Sequence, residues 1–184
     1  MANKLFVISG ASGVGKSTVL AKVMAARPDL RFSVSATTRK IRAGEVDGES
    51  YYFVTRDKFL EMINKNEFLE YDAHMENYYG TPKGQLEEKL QKGSVILDIE
   101  PNGAFHVRKE KEDAVLIFIA PPSLEELERR LRGRGDTSEE QIRVRQARVA
   151  WEMEQSKQYD YVVVNDVMER CAAEILEIIA REAE

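Results

Sequence analysis

Cysteine is almost absent from this sequence: Cys171 is the only one in 184 residues. A lone thiol closes no internal disulfide, so a cross-linked scaffold is excluded. Cys171 falls among Val167, Ile175 and Ile178 at helical spacing, which marks it as a small apolar residue on a buried helix face and not a reactive thiol. Histidine is nearly as scarce. His74 and His106 stand far apart with no Cys or second His at ligand spacing, which argues against a structural zinc site. Positive charge is not in excess either. The 27 Lys and Arg against 32 Asp and Glu leave a formal net charge of −5, the wrong balance for a protein that grips nucleic-acid phosphates over its surface. Any anion site must be local. Apolar runs are short, and none approaches the about 20 residues that cross a bilayer. The chain runs from Met1 straight into an apolar strand at Leu5–Ile8, without a charged leader or a cleavage site. The expectation is a cytoplasmic protein with no membrane or nucleic-acid partner. Nothing in the sequence sets an oligomeric state.

What is present is an ordinary globular balance, 43% apolar and 32% charged. The length suits one domain with a proper core, or a core with small mobile lobes. Buried strands are expected at Lys4–Ser9, Ser94–Ile99, Ala114–Ile119 and Tyr161–Val164. Helices are expected at Lys16–Ala26, Ser123–Arg132, Ser138–Lys157 and Val167–Arg181. Short apolar strands alternating with amphipathic helices predict an α/β fold, a parallel sheet covered on both faces. Two stretches break the alternation. Phe32–Lys83 mixes short β pieces (Phe32–Ala36, Tyr51–Val54, Phe68–Ala73) with a helix near Asp57–Asn64, and reads as an inserted lobe. Arg129–Arg148 is dense in arginine around Gly133 and Gly135, and Thr137 with Glu140 could cap the helix that follows. The expected division of a single domain, 1–184, is a core of 1–31, 84–128 and 149–184, a lobe of 32–83 and a lid of 129–148.

The strongest local pattern is Gly10-Ala11-Ser12-Gly13-Val14-Gly15-Lys16-Ser17, followed by Thr18. It fits the phosphate-binding pattern G-x-x-x-x-G-K-[ST], with an apolar strand before it and a helix after it. Glycines let the backbone curl until successive N–H groups face one anion. The helix N-terminus adds partial positive charge. Lys16 brings an ammonium to the terminal phosphates of a nucleotide, and Ser17 offers a hydroxyl to Mg²⁺. Further on, Val95-Ile96-Leu97-Asp98 is an apolar strand ending in a carboxylate, and Asp98 could orient water on the same ion.

A GTP-driven switch would need D-x-x-G and N-K-x-D segments. No Asp is followed by Gly three residues later, and Asn64-Lys65-Asn66-Glu67 ends in Glu behind a predicted helix. A kinase acting on a small phosphorylated acceptor needs instead a second anion site and cations around the transferring group. The inserted lobe offers Arg39 and Arg42, which can fork onto one phosphate. The arginine-rich stretch offers Arg130, Arg134 and Arg145 beside flexible glycines, as a closing lid would.

Several further segments resemble those of guanylate kinases, and they run in order through nearly the whole chain. They are Ser33-Val-Ser-Ala-Thr-Thr-Arg39, Arg42-Ala-Gly-Glu-Val-Asp-Gly48, Tyr51-Tyr-Phe, Glu67-Phe-Leu-Glu70 and Asn77-Tyr-Tyr-Gly80-Thr81. Phe118-Ile-Ala-Pro-Pro122, Arg130-Leu-Arg-Gly-Arg134-Gly135 and Tyr159-Asp-Tyr-Val-Val-Val-Asn165-Asp166 continue the likeness. The resemblance implies a phosphate-loop core that carries ATP with Mg²⁺, a GMP-binding lobe and a helical lid. It implies transfer of the terminal phosphoryl group of ATP to GMP or dGMP. Arg39, Arg42, Tyr51 and Tyr79 would hold the GMP phosphate. Ser35, Glu70 and Thr81 would read guanine, a carboxylate being able to accept from the ring N–H and the exocyclic amine together. Arg130, Arg134 and Arg145 match lid arginines that contact the transferring phosphates, and Asn165 matches a position near adenine.

The chain departs from the family at Asp98-Ile-Glu100-Pro101-Asn102-Gly103, where the family more often has Asp, a bulky residue and Gln before the Gly. Glu100 keeps the negative charge with one more methylene and would touch the guanine amine. Arg148 stands where the family usually has a small residue and receives no role. Trp151, Tyr159 and Tyr161 are expected to pack in the core or between lobes. Two other readings remain: a kinase with a sugar phosphate as acceptor, against which Glu70, Tyr79 and Thr81 count, and a non-catalytic scaffold module, against which Lys16 and the lid arginines count.

Overall fold

Leu5–Gly10 is buried at every position and forms β1, the middle of a five-stranded sheet. In this computed structural model residues 3–74, 76–123, 125–126, 129 and 139–183 are described, without the side chains at 74 and 139–146. On one side of β1 lie β7 (Val95–Asp98) and then β2 (Arg31–Phe32); on the other lie β8 (Val115–Ala120) and then β9 (Tyr161–Val164). Every pairing is parallel. The central strands β7, β1 and β8 are apolar runs buried on both faces, as covered parallel strands require. The edge strand β9, expected to be buried, instead leaves Val162 and Val164 exposed, because no described strand pairs beyond it. The winding reverses at β1, and open sheets of this kind hold ligands beyond the carboxyl ends of the strands at that point. There Ile8 pairs with Asp98 and Gly10 with Ile119.

Helix α1 (Lys16–Ala26) is the next element after β1, across the loop 11–15. It packs against α6 (Met168–Glu182), which buries Cys171, Ala172, Ile175, Ile178 and Ile179 along one face. Val167 does not join that face. It precedes the first turn and is exposed, since the helix begins at Met168. The helix α4 (Pro101–Glu110) opens on its proline, where a missing N–H costs nothing. It packs on β1 and on the second sheet.

That second sheet has four strands in the order β4 (Tyr52–Phe53), β3 (Ala36–Thr37), β6 (Asn77–Pro82), β5 (Phe68–His74). It is mixed: β3 and β4 run parallel, the other pairs antiparallel. Helix α2 (Arg56–Asn64) lies against it, capped by Thr55, whose hydroxyl accepts from the Lys58 amide at 3.2 Å. The sheet has a small core of its own. Phe59 is sandwiched between Phe68 and Tyr78, with ring centroids at 4.4 and 5.3 Å.

The run Phe32–Ala36, expected as one strand, is divided between the two sheets. Arg31 and Phe32 pair with Val95 and Ile96 in the large sheet, and Ala36 and Thr37 pair in the small one. The backbone is claimed from both sides: the Ser33 amide donates to Ile96 at 2.8 Å, and the Ser35 carbonyl accepts from Tyr52 at 2.9 Å. Local β propensity does not reveal such a change of partner. Helix α3 (Lys83–Lys92), also not foreseen, joins β6 to β7 and buries only Leu86. The expected helix at Ser138–Lys157 is α5 (Glu139–Gln155), closed by a 3₁₀ turn at Ser156–Gln158. The helix expected at Ser123–Arg132 lies largely outside the described residues, as does Thr137 of the expected cap. Among the described residues no helix is long and apolar enough to cross a membrane.

Candidate active site

The segment between β1 and α1 turns through two left-handed glycines, Gly13 at φ 84° and Gly15 at φ 94°. Gly15 is the residue before the first turn of α1. A side chain there would be strained, so the motif glycine is a backbone requirement. The first-turn amides of α1, Lys16 and Ser17 among them, have no intrahelical acceptor and are available to an anion. The loop is held from behind. Ala11 donates to Ile119 at 3.2 Å and Val14 to Ala11 at 3.0 Å. The buried amide of Asn165, at the end of β9, donates to the Val14 carbonyl at 2.7 Å. Asn165 thus shapes the phosphate loop directly. Ser17 and Thr18 are exposed at the loop's end.

A cleft of about 600 Å³ starts at this loop and runs between the two sheets. Its walls include Lys16 at the start of α1, Asp98 at the end of β7 and Glu100 just before α4. From the side of the small sheet come Glu70 of β5, Tyr79 of β6, and Ser35 and Tyr51 just before β3 and β4. Seven of the expected site residues therefore meet in one cavity. Lys16 is ion-paired with Asp98. Burial works against the charge on Lys16, but Asp98 and Glu100 outweigh it and hold its pKa above the ordinary lysine value. The fit to Mg²⁺ is of a particular kind. Among the described residues no group of three or more His, Cys, Asp or Glu could hold a metal ion. One carboxylate, Asp98, and one hydroxyl, Ser17, suit an ion that arrives on nucleotide phosphates and keeps most of its water.

The same cleft is lined by Glu70, 5% exposed. Its Oε1 accepts from the Thr81 hydroxyl at 2.5 Å, across the β5–β6 pair. Burial raises its pKa to about 7, against the opposing hydrogen bond from Thr81. A buried carboxylate with an unused oxygen edge is a site for paired N–H donors. Thr81 is fully buried, and its hydroxyl is engaged by Glu70. Room for Glu70 comes from Gly103 on α4, which approaches it where any larger residue would collide. The tyrosines Tyr51 and Tyr79 meet edge to face at 6.0 Å on the wall between Glu70 and the phosphate loop.

The arginines are placed less centrally. Arg39 lies over the Tyr51 ring, 5.3 Å from its centroid. Its guanidinium forks onto Glu45 at 2.6 and 3.1 Å, which raises its pKa. Arg42 is exposed on the loop that Glu45 closes by accepting from the Arg42 amide at 2.8 Å. Neither arginine lines the cleft. Arg130 and Arg134 lie outside the described residues, and Arg145 falls on α5 with its side chain outside them.

Sequence reasoning missed several cleft residues: Asp72, Asn102, Arg148 and Trp151. Trp151, expected in packing, is 43% exposed and borders the cavity. Tyr159 does pack inside, edge-on to Phe105 and Phe118. Most unforeseen is Glu152, wholly buried, whose Oε2 accepts from the Ser12 amide of the phosphate loop at 2.8 Å. Arg148, Trp151 and Glu152 share one helix face, but that spacing alone does not distinguish a site face from a solvated one.

The family model described as guanylate kinase matches residues 2–182. The chain is 48% identical to a guanylate kinase of Thermus thermophilus over 183 residues, covering 99% of this chain and 83% of that one. It is also 48% identical to the guanylate kinase of Lactococcus lactis subsp. lactis over 179 residues, 97% of this chain and 87% of the other. Among solved structures, the crystal structure of guanylate kinase from Anaplasma phagocytophilum superposes with a TM-score of 0.81 at 35% identity, over 98% of this chain and 86% of that one.

Proposed function

The chain belongs to the guanylate kinase family and transfers a phosphoryl group from ATP to GMP, and on that premise we propose how its own residues divide the work. ATP sits on the Gly10–Ser17 loop, with Thr18 beside it and Asn165 holding the loop in shape. GMP sits in the cleft, its base toward Glu70 and its phosphate toward Tyr51, Tyr79, Arg39 and Arg42. The observation that carries this reading is one cavity lined by both the Lys16 ammonium and the buried Glu70 carboxylate. Such a cavity suits a molecule with a phosphate at one end and a base with adjacent N–H donors at the other.

Glu70 accepts from the ring N–H and the exocyclic amine of guanine. Adenine lacks that donor pair and would leave a buried carboxylate unmatched. Ser35 and Glu100 complete the base contacts, and Thr81 fixes the Glu70 carboxylate. The division into a core of 1–31, 84–128 and 149–184, an acceptor lobe of 32–83 and a lid of 129–148 belongs to the same proposal. So do the roles of Arg130, Arg134 and Arg145 as lid cations over the transferring phosphate. Use of dGMP follows from its identical base and phosphate.

The reaction needs no general base, because a phosphate monoester is already ionised near neutral pH. The tyrosines and arginines orient the GMP phosphate oxygen in line with the terminal phosphorus of ATP. Lys16 meets the charge that develops on the phosphates, released from Asp98 as those phosphates arrive. Mg²⁺ bound with ATP supplies further charge neutralisation, with Ser17 and Asp98 as the residues that would hold it, Asp98 through water. Closure of the lobes excludes water that would otherwise hydrolyse ATP.

The test is ADP formation from ATP and Mg²⁺ with GMP, dGMP, AMP, CMP, UMP and a sugar phosphate offered separately. Turnover confined to GMP and dGMP supports the base-reading role of Glu70. Equal use of AMP removes that role.

A further inference from the structure

A helical spacing of three and four residues puts Arg148, Trp151 and Glu152 on the same side of α5. The Arg148 Nε donates to Glu152 Oε1 at 2.9 Å, and its Nη2 donates to Glu100 Oε2 at 3.0 Å. The other oxygen of Glu152 accepts from the Ser12 amide at 2.8 Å. One continuous line of charge-assisted hydrogen bonds thus runs from the phosphate loop through Glu152 and Arg148 to Glu100 in the acceptor cleft. We propose that Arg148 is a positioning residue that ties the donor and acceptor halves of the site together, holding Glu152 on the phosphate loop and setting the Glu100 carboxylate for the base.

The chemistry at each end requires a cation. Glu152 is a wholly buried carboxylate under a loop built to receive phosphates. Left alone it would repel them or take up a proton, and burial already pushes its pKa upward against the Ser12 amide and Arg148. A guanidinium on its free edge offsets that charge and keeps the carboxylate an acceptor for the loop. Glu100 has the opposite problem. Its side chain is half exposed and has three rotatable bonds, so unanchored it would spread over many rotamers. A contact to Arg148 removes that freedom before the acceptor arrives. Only a planar fork serves two carboxylates from two edges; a lysine ammonium is a point charge without that geometry.

This inference rests on the reading of Glu100 as a residue that faces the base. The experiment is a double-mutant cycle of Arg148→Met and Glu100→Gln, with KM for GMP, KM for ATP, kcat and thermal midpoint measured for all four proteins. R148M should raise the GMP KM about tenfold and the ATP KM about threefold, with kcat within about threefold of the parent. The R148M/E100Q protein should show the GMP KM of E100Q alone. Independent, multiplying effects on that KM overturn the coupling. A lowered thermal midpoint with both KM values unchanged assigns Arg148 a structural role only and overturns it as well. Should R148M not fold, Arg148→Lys enters the same cycle: a rise in GMP KM of about threefold that E100Q absorbs supports the tie, and a parental KM overturns it. E100Q with a parental GMP KM takes down the Glu100 reading and this inference together. An impaired E100Q beside an unimpaired R148M takes down this inference alone.

Discussion

The carboxylate of Glu70 and the backbone of Gly103 are in such close approach that a methyl group on Gly103 would stand 2.7 Å from Glu70 Oε2. The end of a large-sheet helix and a strand of the small sheet therefore share one contact, and its spacing decides where the carboxylate proposed to read the base points. Gly103→Ala should push Glu70 off the Thr81 hydroxyl and raise the GMP KM by about tenfold or more, with the ATP KM little changed. Helix propensity favours the alanine by about 1 kcal/mol, so the fold should survive. Steady-state kinetics varied in each substrate separately decide it; an equal rise in both KM values would remove the local explanation.

On the base-reading role proposed for Glu70, its raised pKa should make GMP recognition dependent on pH. With a value of about 7 in the free protein, the carboxyl is largely protonated at pH 6 and ionised at pH 8. Only the ionised form accepts both guanine donors. The GMP KM should fall about tenfold between pH 6 and pH 8. The same profile for Glu70→Gln, which keeps the shape without the proton, should lose this component.

That substitution also has a stability consequence of definite sign. A carboxyl raised from 4.5 to about 7 on folding opposes the folded state once the unfolded chain ionises. The cost begins as pH rises through about 4.5 and is complete above about 7, where it amounts to about 3 kcal/mol. Glu70→Gln should therefore be more stable than the parent at pH 8 by about 2 kcal/mol, and no more stable at pH 4. Urea titrations at the two pH values would show it. A variant less stable at pH 8 would mean that Thr81 and the protein dipoles already favour the ionised form.

Lys16→Ala should lower kcat by about a thousandfold while the fold persists, because the lysine acts on charge that develops during transfer. Its removal leaves Asp98 without its ion-pair partner, so nucleotide affinity should fall as well. Single-turnover measurements at saturating ATP separate the two effects; parental turnover would take Lys16 out of the chemistry.

Asn165→Ala deletes the 2.7 Å hydrogen bond to Val14 and leaves a carbonyl of the loop unmet. The expected result is an ATP KM raised about tenfold with a GMP KM within about twofold of the parent. A larger effect on GMP would move Asn165 to the acceptor side.

How much of this could be read from the residues depends on how local each feature is. The phosphate loop was legible because its chemistry is contained in eight consecutive residues and depends on backbone shape, which glycine reports. The central strands were legible because burial on both faces leaves an unbroken apolar run. Tyr161–Val164 emerged with the bounds expected of it but not the burial, since at the sheet edge Val162 and Val164 are exposed. The split of Phe32–Ala36 was not legible, because which sheet claims a strand depends on partners such as Ile96 far along the chain. Glu152 was hidden for the same reason. Ser12, which donates to it, lies 140 positions away, and a glutamate on a helix otherwise reads as a solvated charge. Resemblance to the family carried Ser35, Glu70, Tyr51 and Tyr79 to the cleft, but it offered nothing for Arg148, which bonds Glu100 and Glu152 from a position where the family usually has a small residue.

Trp151 borders the cleft, and the chain has no other tryptophan. Excited at wavelengths that tyrosine does not absorb, the protein emits from one indole only, on the wall of the cleft proposed to take the nucleotides. A nucleotide entering beside that indole alters its polarity and quenching without any attached dye. The molecule is in effect supplied with an optical reporter, and the order in which its two substrates arrive can be followed in a stopped-flow fluorimeter on the unmodified chain.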